Sequence, residues 1–176
     1  MNIYRPTHFD LDEIVCPHIF YKYGEMAWQF FDEKQLINID WVRNKLGPMY
    51  ANNWHNQFLD SEYIKEIKYL VQANALIKQD LLPPASLQLF DERGLRCNLC
   101  SLNILKTERG IIYVSPHFTG QGTDYDVKNM TADEVRKWLI TNQDNIPYPI
   151  RLEKGVGWVH MDSRNAGVKV FEFNPG

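Results

Sequence analysis

The 176 residues predict an α+β fold in which helices flank a small antiparallel sheet. Two observations carry this expectation. The first part of the chain spaces its apolar residues three and four apart, the repeat of a helix with one buried side. From Gly94 onward the apolar residues come instead in short β-branched and aromatic runs broken by turn-forming residues. Length and a hydrophobic content of 44% suit one well-filled core and one domain over 1–176.

The elements follow in order. Residues 23–34 place Met26, Ala27, Phe30 and Phe31 on one helical face, and the aromatic residues there read as core. Residues 40–46 read as a second short helix, stopped by Gly47 and Pro48. Residues 61–80 carry Tyr63, Ile64, Ile67, Leu70 and Val71 at helical intervals, with charges on the other faces, and Pro83 and Pro84 end the run. They predict a third helix, a helical insertion around 58–84. Ile111–Val114 is a short strand. Thr131 and Glu134 form a capping box that opens a helix to about Gln143, with Val135, Trp138 and Leu139 on its buried side. Residues 150–153 and 158–161 predict a hairpin around Lys154–Gly157.

The strand at 111–114 delivers the most informative segment, Ser115-Pro116-His117-Phe118-Thr119-Gly120-Gln121-Gly122-Thr123-Asp124, and the hairpin delivers Trp158-Val159-His160-Met161-Asp162. Two imidazoles and a carboxylate are nitrogen and oxygen ligands that leave a tetrahedral zinc with an open position for water. Gly120 and Gly122 let the chain bend between His117 and Asp124. A lone His beside a lone Asp is more often a satisfied polar pair; the combination of both strings points to one zinc ion held by His117, Asp124 and His160.

The first string resembles the Ser-x-His-x-x-Gly-x-Ala-x-Asp signature of the M15 zinc peptidases, the D-Ala-D-Ala carboxypeptidase and dipeptidase family that includes phage endolysins. Here Gly122 stands where the family has Ala. Trp158 and His160 match the second signature, Trp-x-His, with Asp162 and Arg164 following as in phage-type members. Weaker fragments spread the resemblance over most of the chain. These are His8-Phe9 with Glu13 and Cys16, then Asn52-Asn53-Trp54, then Gly94-Leu95-Arg96, where Arg93 replaces a usual Ser. The resemblance implies the fold shared by Hedgehog signalling domains and D-Ala-D-Ala peptidases. It also implies zinc-dependent hydrolysis of peptidoglycan stem peptides. Arg96 would steady the substrate carbonyl and the oxyanion. Ser115 would orient substrate or serve as a turn hydroxyl before Pro116. Trp158 would stack on substrate or wall the pocket, and Asp162 would hydrogen-bond a liganding imidazole.

One departure matters for catalysis. Bacterial members carry a Glu three residues before the last His as general base, and that position is Gly157 here. Glu153 is the nearest replacement. With a symmetric turn Glu153 would face Trp158 and Arg151 would face His160, which puts Glu153 and His160 diagonally on one face, about 7 Å apart. A one-residue change in turn length would turn Glu153 away. Two expectations follow: a hydrolase with Glu153 as base, or a catalytically inactive zinc-binding wall or virion protein.

Other features narrow the class. A net charge of −3 provides no general attraction to nucleic acid or anionic lipid. No run approaches the roughly 18 apolar residues that cross a bilayer, and the N-terminus has no signal-peptide stretch. A protein made in the cytoplasm, reaching the wall after release or carried on a virion, is the expectation, with a monomer as its simplest state. Cys16, Cys97 and Cys100 suggest no disulfide framework. Cys97 and Cys100 have zinc-knuckle spacing without a clean second pair, so ordinary buried thiols are the simpler expectation. His8, His18 and His55 lack metal-like neighbours, and Asp126 reads as surface or as a neighbour of the site.

Overall fold

Asp32 begins the longest helix among the described residues. Its carboxylate accepts the backbone N–H of Lys34 at 2.9 Å, satisfying one of the donors a helix start leaves unpaired. The helix then runs without a break over Glu33–Leu46 (α2) to Gly47, whose φ of +84° ends it. This is a computed structural model, and it describes residues 3–15, 19–20, 23–51 and 115–175. The expected strand at 111–114, the helix over 61–80 with its insertion, Arg96, His18, His55 and all three cysteines lie outside the described residues.

Helices expected over 23–34 and 40–46 are thus divided differently. The first stretch is a 3₁₀ turn, Gly24–Phe30, with a repeat of three rather than 3.6. Ala27, Trp28 and Phe31 are buried, while Met26 is 61% exposed. The boundary falls at Asp32, whose N–H donates to the Gly120 carbonyl at 3.0 Å. The cap at Asp32, rather than apolar spacing, sets the helix start. A short helix, Leu11–Ile14 (α1), precedes these elements. The N-terminal segment docks on α2 through Asp40, which accepts from Thr7 N–H, His8 N–H and Tyr4 O–H at 3.1, 2.8 and 3.1 Å and pairs with His8 Nδ1 at 2.9 Å. His8 is therefore an anchor of that segment.

The sheet consists of Met49–Ala51 (β1), Gly122–Val127 (β2), Ile150–Glu153 (β3), Val159–Asp162 (β4) and Val170–Phe173 (β5), in the order β1-β2-β4-β3-β5. Neighbours β1 to β2, β2 to β4 and β4 to β3 are antiparallel. A wholly antiparallel sheet is the expectation, and β5 departs from it by running parallel to β3, Ile150 beside Val170 through Glu153 beside Phe173. After β4 the chain crosses to the far side of β3, so β5 runs antiparallel to β4 in direction and parallel to β3. The crossing is held by Ile150 N–H to Lys169 O and Lys154 N–H to Phe173 O, both 2.9 Å.

Thr131 forms the expected capping box with Glu134 and opens Ala132–Thr141 (α3); a 3₁₀ turn over Gln143–Asn145 follows. Alternation along the strands then separates two faces. Tyr125, Val127, Leu152, Val159, Met161 and Ile150 are buried in one core with Leu36, Ile39 and Val42 of α2 and Val135 and Leu139 of α3. Trp138 packs at its margin against Trp41, ring centres 5.5 Å apart. The residues between them in sequence, Asp124, Arg151, Glu153, His160 and Asp162, take the other face. Gln35 ties the sheet from the core side. Its side-chain amide donates to Thr123 Oγ at 3.1 Å and to Met161 O at 2.9 Å, fixing the residues next to Asp124 and His160.

Candidate metal centre

His117 is placed by a turn whose residues explain themselves. Ser115 caps the 3₁₀ segment Pro116–Thr119, its Oγ accepting His117 N–H at 3.4 Å, and Pro116 occupies the first helical position. Ser115 is buried and its hydroxyl serves the turn that carries His117. Gly120 then reverses the chain at φ +66°. A Cβ there would be driven into the Phe30 carbonyl oxygen and lie 2.6 Å from Phe31 Cα. At Gly122 a Cβ would lie 3.0 Å from the Pro116 ring and 3.2 Å from His117 N, so this turn packs more tightly than one built for Ala.

Asp124 and His160 are direct partners across β2 and β4. His117, Asp124 and His160 are 7, 4 and 6% exposed, and each offers one ligand atom such that all lie within 4.8 Å of one another. Asp124 Oδ1 is 2.6 Å from His160 Nδ1 and 3.5 Å from His117 Nε2. The two rings meet edge to face, centres 4.9 Å apart. Two imidazole nitrogens and a carboxylate oxygen, buried and convergent, can hold a metal ion.

The other nitrogen of His160 is occupied. Its Nε2 lies 3.3 Å from Asp162 Oδ2, and a hydrogen bond there fixes the ring so that Nδ1 faces the cluster. Asp162 is fully buried and accepts from Arg164 N–H, Nε and Nη2 at 3.1, 3.3 and 3.2 Å and from Arg151 Nε at 3.3 Å. Burial pushes its carboxyl up, but the His160 and Arg164 hydrogen bonds and the charges of Arg164 and Arg151 outweigh that and hold it below the usual carboxylate range. Burial also opposes charge on His160; hydrogen bonds and charges from Asp124 and Asp162 overcome it and push the imidazole up to about 9. A metal ion on Nδ1 therefore replaces a proton.

The register of the hairpin decides where Glu153 stands. Arg151 pairs with Asp162 and Leu152 with Met161, two residues away from the symmetric expectation. A shift of two preserves the face. The ladder ends at Leu152 beside Met161, and alternation puts Glu153, the last residue of β3, on the face that bears His160. Phe173, beside Glu153 on β5, presents its ring edge-on to His160 at 6.0 Å. Gly157 and Trp158 lie in the exposed turn, Trp158 with 44% of its surface open. Asp126 is exposed.

Arg136 holds that turn. It is 4% exposed on α3 and donates Nη1 to Glu153 O and Trp158 O at 3.2 and 2.8 Å and Nη2 to Val156 O at 2.8 Å. Its place in a helix face, one residue from buried Val135, was the available clue. Phe173 had none, because it meets the site only through the parallel pairing of β5.

Among the described residues no helix is long and apolar enough to cross a membrane. No family model, no curated protein and no solved structure matches this chain.

Proposed function

We propose that this protein is a zinc-dependent peptidase that cleaves peptide bonds in peptidoglycan stem peptides, in the manner of the phage endolysins its two motifs resemble. The observation that carries the proposal is the convergence of His117, Asp124 and His160, buried together with ligand atoms within 4.8 Å of one another. The donor set is that of a zinc site with a free position. Zinc bound there would polarise a peptide carbonyl and acidify water.

The remaining roles belong to the chain's own groups. Glu153, at the end of β3 on the face that bears His160, takes the proton of the attacking water and returns it to the leaving amine. Asp162 keeps His160 oriented through Nε2. Ser115 positions His117 through its backbone N–H. Arg96, by resemblance, steadies the developing oxyanion. Trp158, exposed at the tip of the hairpin, offers an aromatic face to the peptide.

A second reading keeps the metal and removes the chemistry: a wall-binding or virion protein on the same frame. It is favoured by Gly157 at the position of the family base. Turnover of purified peptidoglycan separates the two. The peptidase predicts that Glu153→Gln retains one equivalent of zinc and loses at least about 100-fold in kcat. Wall affinity with no turnover in the unaltered protein establishes the second reading instead.

A further inference from the structure

The face of the sheet that bears the cluster carries one more group whose arrangement exceeds any structural need. Arg151 is paired with Asp162 across β3 and β4. Only its Nε touches that carboxylate, at 3.1 and 3.3 Å from the two oxygens. Its guanidinium lies 4.4 Å from the centre of the Phe173 ring, the same ring that meets His160 edge-on. Its side chain is 22% exposed.

An arginine present only to neutralise a buried carboxylate does best with its two-pronged end on both oxygens. Asp162 already has three N–H donors from Arg164. Of the five N–H donors an arginine has, Arg151 uses the Nε–H. Among the described residues Nη1 and Nη2 make no hydrogen bond. The plane is nevertheless fixed, by the Nε bond on one edge and by stacking on Phe173. A planar cation held this way, with terminal amino groups that make no hydrogen bond among the described residues, is preorganised for a planar anion that accepts two parallel hydrogen bonds. A carboxylate fits, and one guanidinium fork matches a monoanion better than a phosphate dianion.

We propose that Arg151 binds a free carboxylate of the substrate peptide and anchors it beside the metal cluster. The proposal rests on the peptidase reading for the identity of the peptide, since stem peptides carry free carboxylates next to their scissile bonds. The anchoring itself follows from Arg151, Asp162 and Phe173. It makes Arg151 a substrate-binding residue and Phe173, together with Asp162, the support that sets its plane.

The test uses zinc-loaded full-length protein and two probes, N-acetyl-D-alanine and its primary amide. Calorimetric titration measures affinity, and the Nε–H resonance of Arg151, assigned by its loss in Arg151→Lys, reports contact. The anchor predicts that the acid moves this resonance saturably and binds at least about tenfold tighter than the amide. It further predicts that Arg151→Lys, with one equivalent of zinc retained, binds acid and amide within about twofold of each other. Equal binding of acid and amide, an unmoved resonance, discrimination that survives in Arg151→Lys, or tighter binding of inorganic phosphate than of the acid would each overturn it. Stem-peptide cleavage is scored separately. If acid is discriminated through Arg151 while no stem peptide is cut, the anchor stands and the peptidase reading fails. If peptide is cut without such discrimination, the reverse holds. Where both hold, Arg151→Lys raises KM about tenfold and lowers kcat/KM by at least as much.

Discussion

Replacing Arg136 by methionine removes the clamp on the turn that delivers Glu153 while keeping most of the apolar stem in place. In the native protein Arg136 is 4% exposed and its guanidinium donates to three carbonyls, Glu153 O, Val156 O and Trp158 O, at 2.8–3.2 Å. Hydrogen bonds from a charged donor contribute about 1.5–3 kcal/mol each. Two effects reduce the sum. Residues 154, 155, 157 and 158 of the turn are exposed, so water can reach carbonyls that lose their donor, and methionine burial returns part of the loss. The pair with Asp133 adds little, because that carboxylate is 89% exposed. A net destabilisation of about 2–4 kcal/mol is expected from urea unfolding, with an unchanged slope. The site should respond unequally. His117 and Asp124 lie outside the turn and His160 is also held by its pairing with Asp124 across β2 and β4, so zinc affinity stays within about tenfold, whereas misplacing Glu153 lowers kcat by about 100-fold. A stability loss below about 1 kcal/mol, or zinc and turnover lost in equal measure, would refute the assigned role.

Four further outcomes are expected. Because His160 in the metal-free protein is pushed up to about 9, zinc must displace a proton; apparent affinity should rise by up to about tenfold per pH unit between pH 7 and about 9 and then level, as competition with a chelator would show. The same raised value means that the metal-free protein gains stability from this group in full below its unfolded value near 6.5 and loses it as pH climbs through about 9, which urea unfolding across that window checks. Gly120→Ala forces a Cβ against the Phe30 carbonyl at φ +66° and should cost at least about 2 kcal/mol in chemical denaturation together with weakened zinc binding; a neutral result would mean the turn relaxes freely. Asp40 is held below the usual carboxylate range, burial being outweighed by hydrogen bonds from the Thr7 and His8 backbone, His8 and Tyr4. Its contribution is therefore present above the unfolded value of about 4 and is lost as pH falls through its lower folded one. Amide exchange in residues 3–15 should quicken in acid, and in Asp40→Ala at neutral pH, before exchange in the sheet does.

Local signals explain which parts were legible in the sequence. The Thr131–Glu134 capping box, Gly47 at the end of α2 and the grouping of His117, Asp124 and His160 each depend on residues close in sequence or on side-chain chemistry that few arrangements satisfy. The Asp32 cap was equally local, but the apolar spacing of residues 26–31 masked it, and a 3₁₀ turn exposes Met26 where an α-helix would bury it. Other features are made by distant pairing. Val170–Phe173 becomes a parallel edge strand only because β3 leaves an edge open, and Phe173 reaches His160 only through that pairing. Arg136 is charged, so its burial follows from the carbonyls the hairpin turns toward it rather than from its own hydropathy. The register of β3 against β4 differs by two from a symmetric hairpin, a change that keeps Glu153 on the face of His160.

The central claim is hydrolysis at a zinc site, and mass spectrometry of muropeptides released from purified peptidoglycan tests it most directly. Zinc-loaded protein should produce a new set of stem-peptide fragments carrying one added water per cut bond, lost on chelation, restored by zinc and missing with Glu153→Gln. An unchanged muropeptide profile from protein carrying a full equivalent of zinc would contradict the account.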